Sequence, residues 1–123
     1  MLTERGLEPA LQALTARVPV PVELEVEGDH RLPSPVESAA YFVVSEALAN
    51  VAKYAEASYA TVAVRRRNGH VTVEVKDDGI GGAALGGGSG LRGLADRVAA
   101  LDGTLRVHSP AGAGTRLQAE IPL

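Results

Sequence analysis

The spacing of hydrophobic and polar residues divides the chain into helical and extended segments. Hydrophobic residues recur every three or four positions in three stretches, Leu2–Val18, 34 to about 57, and Leu91–Leu101. This spacing places them on one face of a helix and predicts three amphipathic helices. Alternating hydrophobic residues, typical of β-strands, occur in five segments: Val22–Val26, Tyr59–Arg66, His70–Lys76, Thr104–His108 and Thr115–Ile121.

Local residue choices predict where some of these elements begin and end. Ser34 can cap the second helix, with Pro35 at its first position and Glu37 completing a capping box. Asn68-Gly69 predicts a tight hairpin turn between two strands. Gly103 is predicted to end the third helix.

The order of elements predicts a two-layer α/β sandwich. It runs helix, strand, helix, two strands, helix, two strands, which favours a mixed sheet of about five strands with about three helices on one face. The chain has 123 residues, a mass of 12.7 kDa and 46% hydrophobic residues, enough for one core. No repeat or internal boundary occurs, so residues 1–123 are interpreted as one domain.

Composition and charge exclude several classes of protein. The net charge of −3 argues against broad binding to nucleic acid. The absence of cysteine excludes a disulfide scaffold, a thiolate metal site and a cysteine nucleophile. The most apolar stretch, Val36–Ala55, carries charged and amide side chains, so it is not expected to span a membrane. Residues 1–10 lack the apolar segment of a signal peptide. A cytoplasmic domain is therefore expected.

Three polar side chains follow the border of the buried stripe on the second helix. Asn50 falls between Ala39 and Val43 on the helical wheel, with Glu46 one turn earlier and Lys53 about one turn later. They form a polar file beside the core. The alternative interpretation is an ordinary helix edge.

A carboxylate continues the hydrophobic face of the strand His70–Lys76. Asp77 is in phase with the valines before it: Val71, Val73 and Val75. Because unpaired burial of a charge is costly, it is expected to face a pocket or a partner. Glycines follow at Gly79 and Gly81, where the backbone can approach a ligand closely. A simple Asp-Gly turn is the alternative.

Two further features carry possible chemistry. The glycine loop Gly86–Gly93 opens a helix and can present backbone N–H groups to phosphate. It lacks the preceding strand of a dinucleotide fold and the Gly-Lys-Ser/Thr of a Walker A loop, and a flexible linker is its alternative. Thr115 is a polar residue on the inward face of the last strand, where it could instead bond locally.

Taken together, these features resemble the ATP-binding domain of sensor histidine kinases, within the superfamily of gyrase, chaperone and kinase ATPases that share the Bergerat fold. The likeness runs from Gly6 onward and is closest to nitrate- and lipid-sensing kinases. Four segments resemble the family's motifs: Ser45–Ala55 its N box, Asp77–Gly81 its first glycine box, Gly88–Leu94 with Arg97 its second, and Gly112–Thr115 its final box.

The resemblance implies a role for each matching residue. Asn50 would bind the Mg²⁺ that bridges the ATP phosphates, and Lys53 would reach phosphate. Glu46 would be the catalytic residue, which orients a water or polarises the attacking group near that metal. Asp77 would accept a hydrogen bond from the adenine amino group. Thr115 would support the adenine site, and Gly79 and Gly81 would let the base and ribose lie against the backbone. Gly88, Gly90 and Leu91 would form the lid and the phosphate cradle.

The resemblance also implies partners that this sequence lacks. Members of the family donate the γ-phosphate to a histidine on a separate dimerisation domain, from which it passes to a response regulator. None of His30, His70 and His108 lies on a helix with the acidic neighbour and arginine of that site. The chain is thus interpreted as the C-terminal catalytic part of a longer kinase, inactive in autophosphorylation alone. The fragment is expected to be monomeric, and the full-length kinase a homodimer that can be membrane-anchored.

Some features leave other functions open. Tyr54 stands where this kinase group usually has histidine, and the short loop 83–90 is expected to form a compact lid that moves without nucleotide. A serine kinase of the anti-sigma type would be complete at this length, and a non-catalytic domain switched by nucleotide is also possible. Arg97 favours the histidine kinase over the first, and Glu46 argues against the second.

Overall fold

The structure is a computed structural model that describes residues 6–27, 32–52, 57–80 and 91–123. Within these ranges the chain forms three helices and five strands, in the predicted order. They are α1 (Leu7–Thr15), β1 (Val22–Val26), α2 (Ser34–Asn50), β2 (Ala60–Arg67), β3 (His70–Asp77), α3 (Leu91–Ala99), β4 (Thr104–His108) and β5 (Thr115–Pro122). None of the helices in these ranges is long and apolar enough to cross a bilayer.

The strands form one mixed sheet in the order β1-β2-β3-β5-β4. β1 and β2 are parallel, and the other neighbours are antiparallel. A parallel pair needs a crossover connection, which α2 supplies. The turn at Asn68 and Gly69 has φ values of 52° and 76°, so the predicted hairpin is confirmed.

The core lies between the helices and one face of the sheet. Because side chains alternate along a strand, the buried hydrophobic residues of the paired strands fall on this face. The largest fully buried side chains are Leu11, Leu48, Leu94, Leu117, Ile121, Val43, Val44, Val62, Val71, Val73 and Val98. The predicted aliphatic sandwich is confirmed.

The opposite face of the sheet carries charged pairs. Glu27 and Arg67 form a bidentate pair at 2.9 and 3.0 Å, and Arg116 donates to Glu74 at 2.7 Å. Because charged side chains lie on this face, it suits contact with solvent rather than packing against a third layer.

The start of α2 differs from the predicted capping box. Its N-cap is Pro33, whose carbonyl oxygen accepts from the N–H groups of Val36 and Glu37, and no side chain caps the helix. The cap assigned to Ser34 is therefore wrong, because the helix begins one residue earlier. Glu37 still reaches back, as its buried carboxylate accepts from the N–H of Leu32 at 3.2 Å.

The helix ends also need correction. α1 ends at Thr15 rather than Val18, and Ala57 is already outside α2. After α3, the left-handed residue is Asp102, with φ of 62°. The N–H of Asp102 donates to the carbonyl oxygen of Ala99, and the N–H of Gly103 donates to that of Val98. These two bonds form a Schellman motif with Asp102 at C′ and Gly103 at C″.

Gly103 is required by space rather than by its backbone angle. A Cβ at this residue would lie 2.6 Å from the carbonyl oxygen of Glu120 and 2.8 Å from Val98 Cγ1. The end of α3 is therefore pressed against β5.

Candidate functional site

Three strand ends meet at the edge of the sheet that contains Asp77, which we call the Asp77 edge. Asp77 is the last residue of β3, and it pairs with Ala60 at the start of β2 and with Thr115 at the start of β5. All three residues occupy the phase of the buried valines. Asp77 thus has the inward phase that the sequence predicts.

Two helix ends lie at the same edge because of the chain connections. α2 packs against β3 and β5, and its C-terminal end leads into the start of β2 at Ala60. α3 leads into β4, whose first residue, Thr104, pairs with Glu120 toward the far end of the sheet. Since α3 packs along β4 and β5, its N-terminal end at Leu91 points back toward the Asp77 edge.

The Asp77 carboxylate is half-buried and accepts backbone hydrogen bonds. The N–H of Gly79 donates to Asp77 Oδ1 at 2.8 Å, and the N–H of Thr115 also donates to the carboxylate. Burial raises the pKa of Asp77 above its ordinary value, and these two hydrogen bonds partly oppose the increase. The side chain therefore presents oxygen acceptors at the end of an apolar row, where a ligand N–H could bind.

The loop before β5 is packed onto the segment that follows β3. Gly114 has φ of 78°, and a Cβ there would overlap the carbonyl oxygen of Asp77. The N–H of Gly112 donates to the carbonyl oxygen of Ile80 at 2.6 Å. Thr115 is thereby held beside Asp77.

Ser109, at the other end of this loop, makes a side-chain contact that the sequence did not predict. Its Oγ lies 2.6 Å from Thr115 Oγ1, so the two hydroxyls are hydrogen-bonded. The available signal was a pair of hydroxyl residues flanking a loop rich in glycine and proline, but the pattern does not indicate that their side chains meet.

Asp78 is a second residue that the sequence analysis treated only as part of a glycine turn. Its carboxylate accepts from Ser58 Oγ at 2.5 Å and from the N–H groups of Ser58 and Tyr59 at 2.9 and 3.1 Å. The hydrogen bond from the Ser58 side chain is the main cause that lowers the pKa of Asp78. This carboxylate fastens the start of β2 to the end of β3.

Glu46 and Asn50 lie one turn apart near the C-terminal end of α2. Both side chains are half-buried, which agrees with their predicted position at the border of the stripe. Among the described residues neither side chain has a hydrogen-bond or ion-pair partner, and neither is bonded to Asp77. Both lie at the end of α2 that leads toward this edge.

The remaining predicted site residues are not tested by the structure. Lys53, Gly81, Gly88 and Gly90 lie outside the described residues, as do Tyr54 and the loop 83–90. Leu91 is the first residue of α3, and its side chain is also outside them. Their roles stay predictions.

Arg97 connects the two helices that reach the Asp77 edge. Its guanidinium carbon lies 3.7 Å from the centroid of the Phe42 ring, which joins α3 to α2 through a cation–π contact. The sequence indicated Arg97 only through its resemblance to the family's second glycine box, and this packing contact is an additional role.

Comparison with known proteins places these features in context. Residues 36–123 match the family described as histidine kinase-, DNA gyrase B-, and HSP90-like ATPases. The chain is 32% identical over 97 residues to the oxygen sensor histidine kinase NreB of Staphylococcus carnosus, covering 76% of this chain and 28% of that protein. It is 27% identical over 123 residues to the sensor histidine kinase LiaS of Bacillus subtilis, covering 98% of this chain and 34% of that protein. The chain therefore spans about a third or less of these relatives.

Solved structures share the fold. The blue-light activated histidine kinase of Erythrobacter litoralis EL346 superposes with a TM-score of 0.77 at 25% identity, covering 95% of this chain and 42% of that one. The mycobacterial sensor histidine kinase MprB superposes with a TM-score of 0.67 at 22% identity, covering 94% of this chain and 91% of that one.

Proposed function

Because this chain belongs to the family of histidine kinase-, DNA gyrase B- and HSP90-like ATPases, we propose that its Asp77 edge binds ATP and presents the γ-phosphate to a histidine on a separate domain. The chain is an ATP-binding catalytic domain of the sensor histidine kinase type. The serine kinase and the non-catalytic switch are not favoured, because the relatives compared are sensor histidine kinases.

The base site is the part of the proposal that the described residues support most directly. The half-buried carboxylate of Asp77, which already accepts from Gly79 and Thr115, would accept from the N6 amino group of adenine. This observation carries the proposal. The partly desolvated carboxylate has acceptor capacity beyond these backbone donors, and an exocyclic amine supplies a further N–H.

A magnesium ion fits the donor groups near the end of α2. The Asn50 amide is half-buried and has no partner among the described residues, and these residues contain no cluster of three or more side chains suited to a tighter metal site. Mg²⁺ retains several waters and needs only one or two protein oxygens besides phosphate. Asn50 would hold the ion, which would neutralise charge on the phosphates when bound.

Glu46 and the chain's phosphate-binding groups would complete the reaction site. Glu46, one turn before Asn50, would orient the attacking imidazole through a hydrogen bond. Lys53 would contact phosphate, and the ribose and phosphates would lie along Gly81, Gly88, Gly90 and the N-terminal end of α3 at Leu91. A new N–P bond would form as the bond between the β- and γ-phosphates breaks, which leaves ADP. Positioning supplies most of the catalysis in such transfers.

The partners of this reaction would lie outside this chain. His70 and His108 are exposed and lie at the start of β3 and the end of β4, not on a helix. We infer that a dimerisation domain supplies the phosphorylated histidine, that a response regulator accepts the group, and that the full-length kinase is a cytoplasmic-facing homodimer. The isolated domain would then be a monomer that cannot phosphorylate itself.

Asp77→Asn tests the base site. The N–H groups of Gly79 and Thr115 would engage the new amide oxygen, so its NH₂ group would face the adenine amine and repel it. We expect ATP affinity by calorimetry to fall at least about tenfold. The melting temperature should not fall, because the buried charge is removed.

Asp96→Asn is the matched control, because Asp96 is an exposed carboxylate on α3. We expect it to leave ATP affinity unchanged. Unchanged affinity in Asp77→Asn itself would rule out the proposed base site.

A further inference from the structure

The hydrogen bond between Ser109 and Thr115 adjoins the proposed base site, because Thr115 pairs with Asp77 across the sheet. Its 2.6 Å separation is at the short end of the range for two hydroxyls, and both residues are partly buried. Ser109 Oγ also lies 3.5 Å from the carbonyl oxygen of Gly114. The bond therefore joins the two ends of the loop between β4 and β5.

Thr115 needs such a partner if its hydroxyl is to have one direction. A threonine Cβ allows staggered positions for its oxygen, and the hydroxyl proton rotates to suit its surroundings. The hydrogen bond to Ser109 selects one position for Thr115 Oγ1. Because Thr115 pairs with Asp77 on the inward face of the sheet, this choice also sets where the oxygen lies relative to the carboxylate.

We propose that Ser109 is a positioning residue for base recognition, which holds the Thr115 hydroxyl beside the Asp77 carboxylate to read the amino edge of a 6-aminopurine. This inference rests on the proposed function of the Asp77 edge. An ionised carboxylate only accepts hydrogen bonds, so a base with an amine at position 6 suits it and one with an oxygen there does not. Ser109 would strengthen this preference without touching the nucleotide.

Ser109 could instead act only by closing its loop, and the two roles make different predictions. If Ser109 only closes the loop, removing its hydroxyl should lower stability and weaken the binding of all nucleotides equally. This loss should be the same whether or not residue 115 carries a hydroxyl. If Ser109 positions Thr115 Oγ1, the effect of removing the Ser109 hydroxyl on ATP affinity should disappear when the Thr115 hydroxyl is absent. Removing the Ser109 hydroxyl should then also reduce the preference for ATP over ITP, which carries an oxygen at position 6.

The experiment is a double-mutant cycle with Ser109→Ala, Thr115→Val and their combination. ATP and ITP affinities are measured by calorimetry, and folding is checked by thermal unfolding. We expect Ser109→Ala to weaken ATP binding roughly fivefold when Thr115 is present and less than about twofold in the Thr115→Val background. ITP binding should change little, so the ATP preference falls. Ser109→Thr, which keeps the hydroxyl, should restore most of it.

Ser58→Ala is the matched control, because it removes another serine hydroxyl at the Asp77 edge that bonds Asp78 and not Thr115. Its effect should be the same with and without the Thr115 hydroxyl. Equal losses from Ser109→Ala in both backgrounds, or equal losses for ATP and ITP, would overturn the positioning role. Failure of the unmodified chain to bind ATP would instead overturn the proposed function.

Discussion

Asp77 and Asp78 show how one residue type acquires two roles at neighbouring positions. The pleat of β3 directs successive side chains to opposite faces. Asp77 lies inward, where burial raises its pKa, whereas Asp78 is exposed and bonded to Ser58, which lowers its pKa. The phase of the valine row predicted the first environment. The second depends on a residue 20 positions earlier, which no local pattern reveals.

Asn50 provides the test of the metal site at the scale of one residue. Asn50→Asp adds a negative charge where the triphosphate is proposed to lie. We expect Mg²⁺–ATP affinity to fall roughly tenfold, equivalent to about 1.4 kcal/mol, while adenosine affinity changes less than about twofold. Calorimetry with both ligands, with and without Mg²⁺, measures the difference.

Ser38→Asp places the same charge on an exposed position of the first turns of α2, away from the Asp77 edge. It should leave both affinities unchanged. An equal loss of Mg²⁺–ATP and adenosine binding in Asn50→Asp would contradict a metal-binding role for Asn50.

Elements were predictable where short-range chemistry determines them. The Asn68-Gly69 turn and the buried faces of α2 and the strands follow from residue type and spacing alone. The ends of helices were harder. Gly103 was predicted to end α3, but Asp102 takes the left-handed position there, and Gly103 is needed because it lies close to the carbonyl oxygen of Glu120. That requirement comes from β5, which lies far along the chain.

Gly114 offers a prediction about how the loop before β5 fits against β3. Gly112 and Gly114 both have positive φ, but only a Cβ at Gly114 meets the backbone of Asp77. Gly112→Ala should cost about 1 kcal/mol of unfolding free energy from its backbone angle. Gly114→Ala adds a steric overlap, so we expect about 3 kcal/mol or more.

Urea denaturation of the two variants measures these costs, and ATP titration measures their effect on the site. Gly114→Ala should also weaken ATP binding, because the overlap displaces Asp77. Similar losses of stability in both variants would mean that the close approach of Gly114 to Asp77 is unimportant.

At the scale of the whole molecule, the site is assembled from segments that are distant in sequence. The inward phases of Asp77 and Thr115 were predictable, and so was the border position of Asn50. The links that hold the segments together, Asp78 to Ser58 and Ser109 to Thr115, were not. They depend on strand pairing and loop packing, which set which side chains meet across the sheet.

The hydrogen bonds between Asp78 and Ser58 should make the free energy of unfolding depend on pH in the acid range. Because the folded-state pKa of Asp78 is lowered, its contribution is fully present above the ordinary aspartate pKa and is lost as pH falls through the lowered value. We expect the stability difference between the unmodified chain and Asp78→Asn to shrink below about pH 4. Urea denaturation between about pH 7 and pH 3 measures this difference.

Asp77→Asn should behave in the opposite way, which provides the internal comparison. The pKa of Asp77 is raised, so its ionised form destabilises the fold at neutral pH and its protonation relieves the cost. Any gain in stability from Asp77→Asn should therefore be largest near neutral pH and vanish in acid. If the stability changes caused by Asp77→Asn and Asp78→Asn followed the same pH dependence, the two carboxylates would not have opposite pKa shifts.

The hairpin at Asn68 and Gly69 joins β2 and β3 at the end of the sheet farthest from Asp77. Seven residues of extended β3 lie between Gly69 and Asp77, so the two are about 27 Å apart at the usual rise of a strand. A fluorophore or affinity handle attached at this bend would stand clear of any bound nucleotide. The bend therefore offers an anchoring point for immobilising the domain on a sensor surface with its Asp77 edge open to solution.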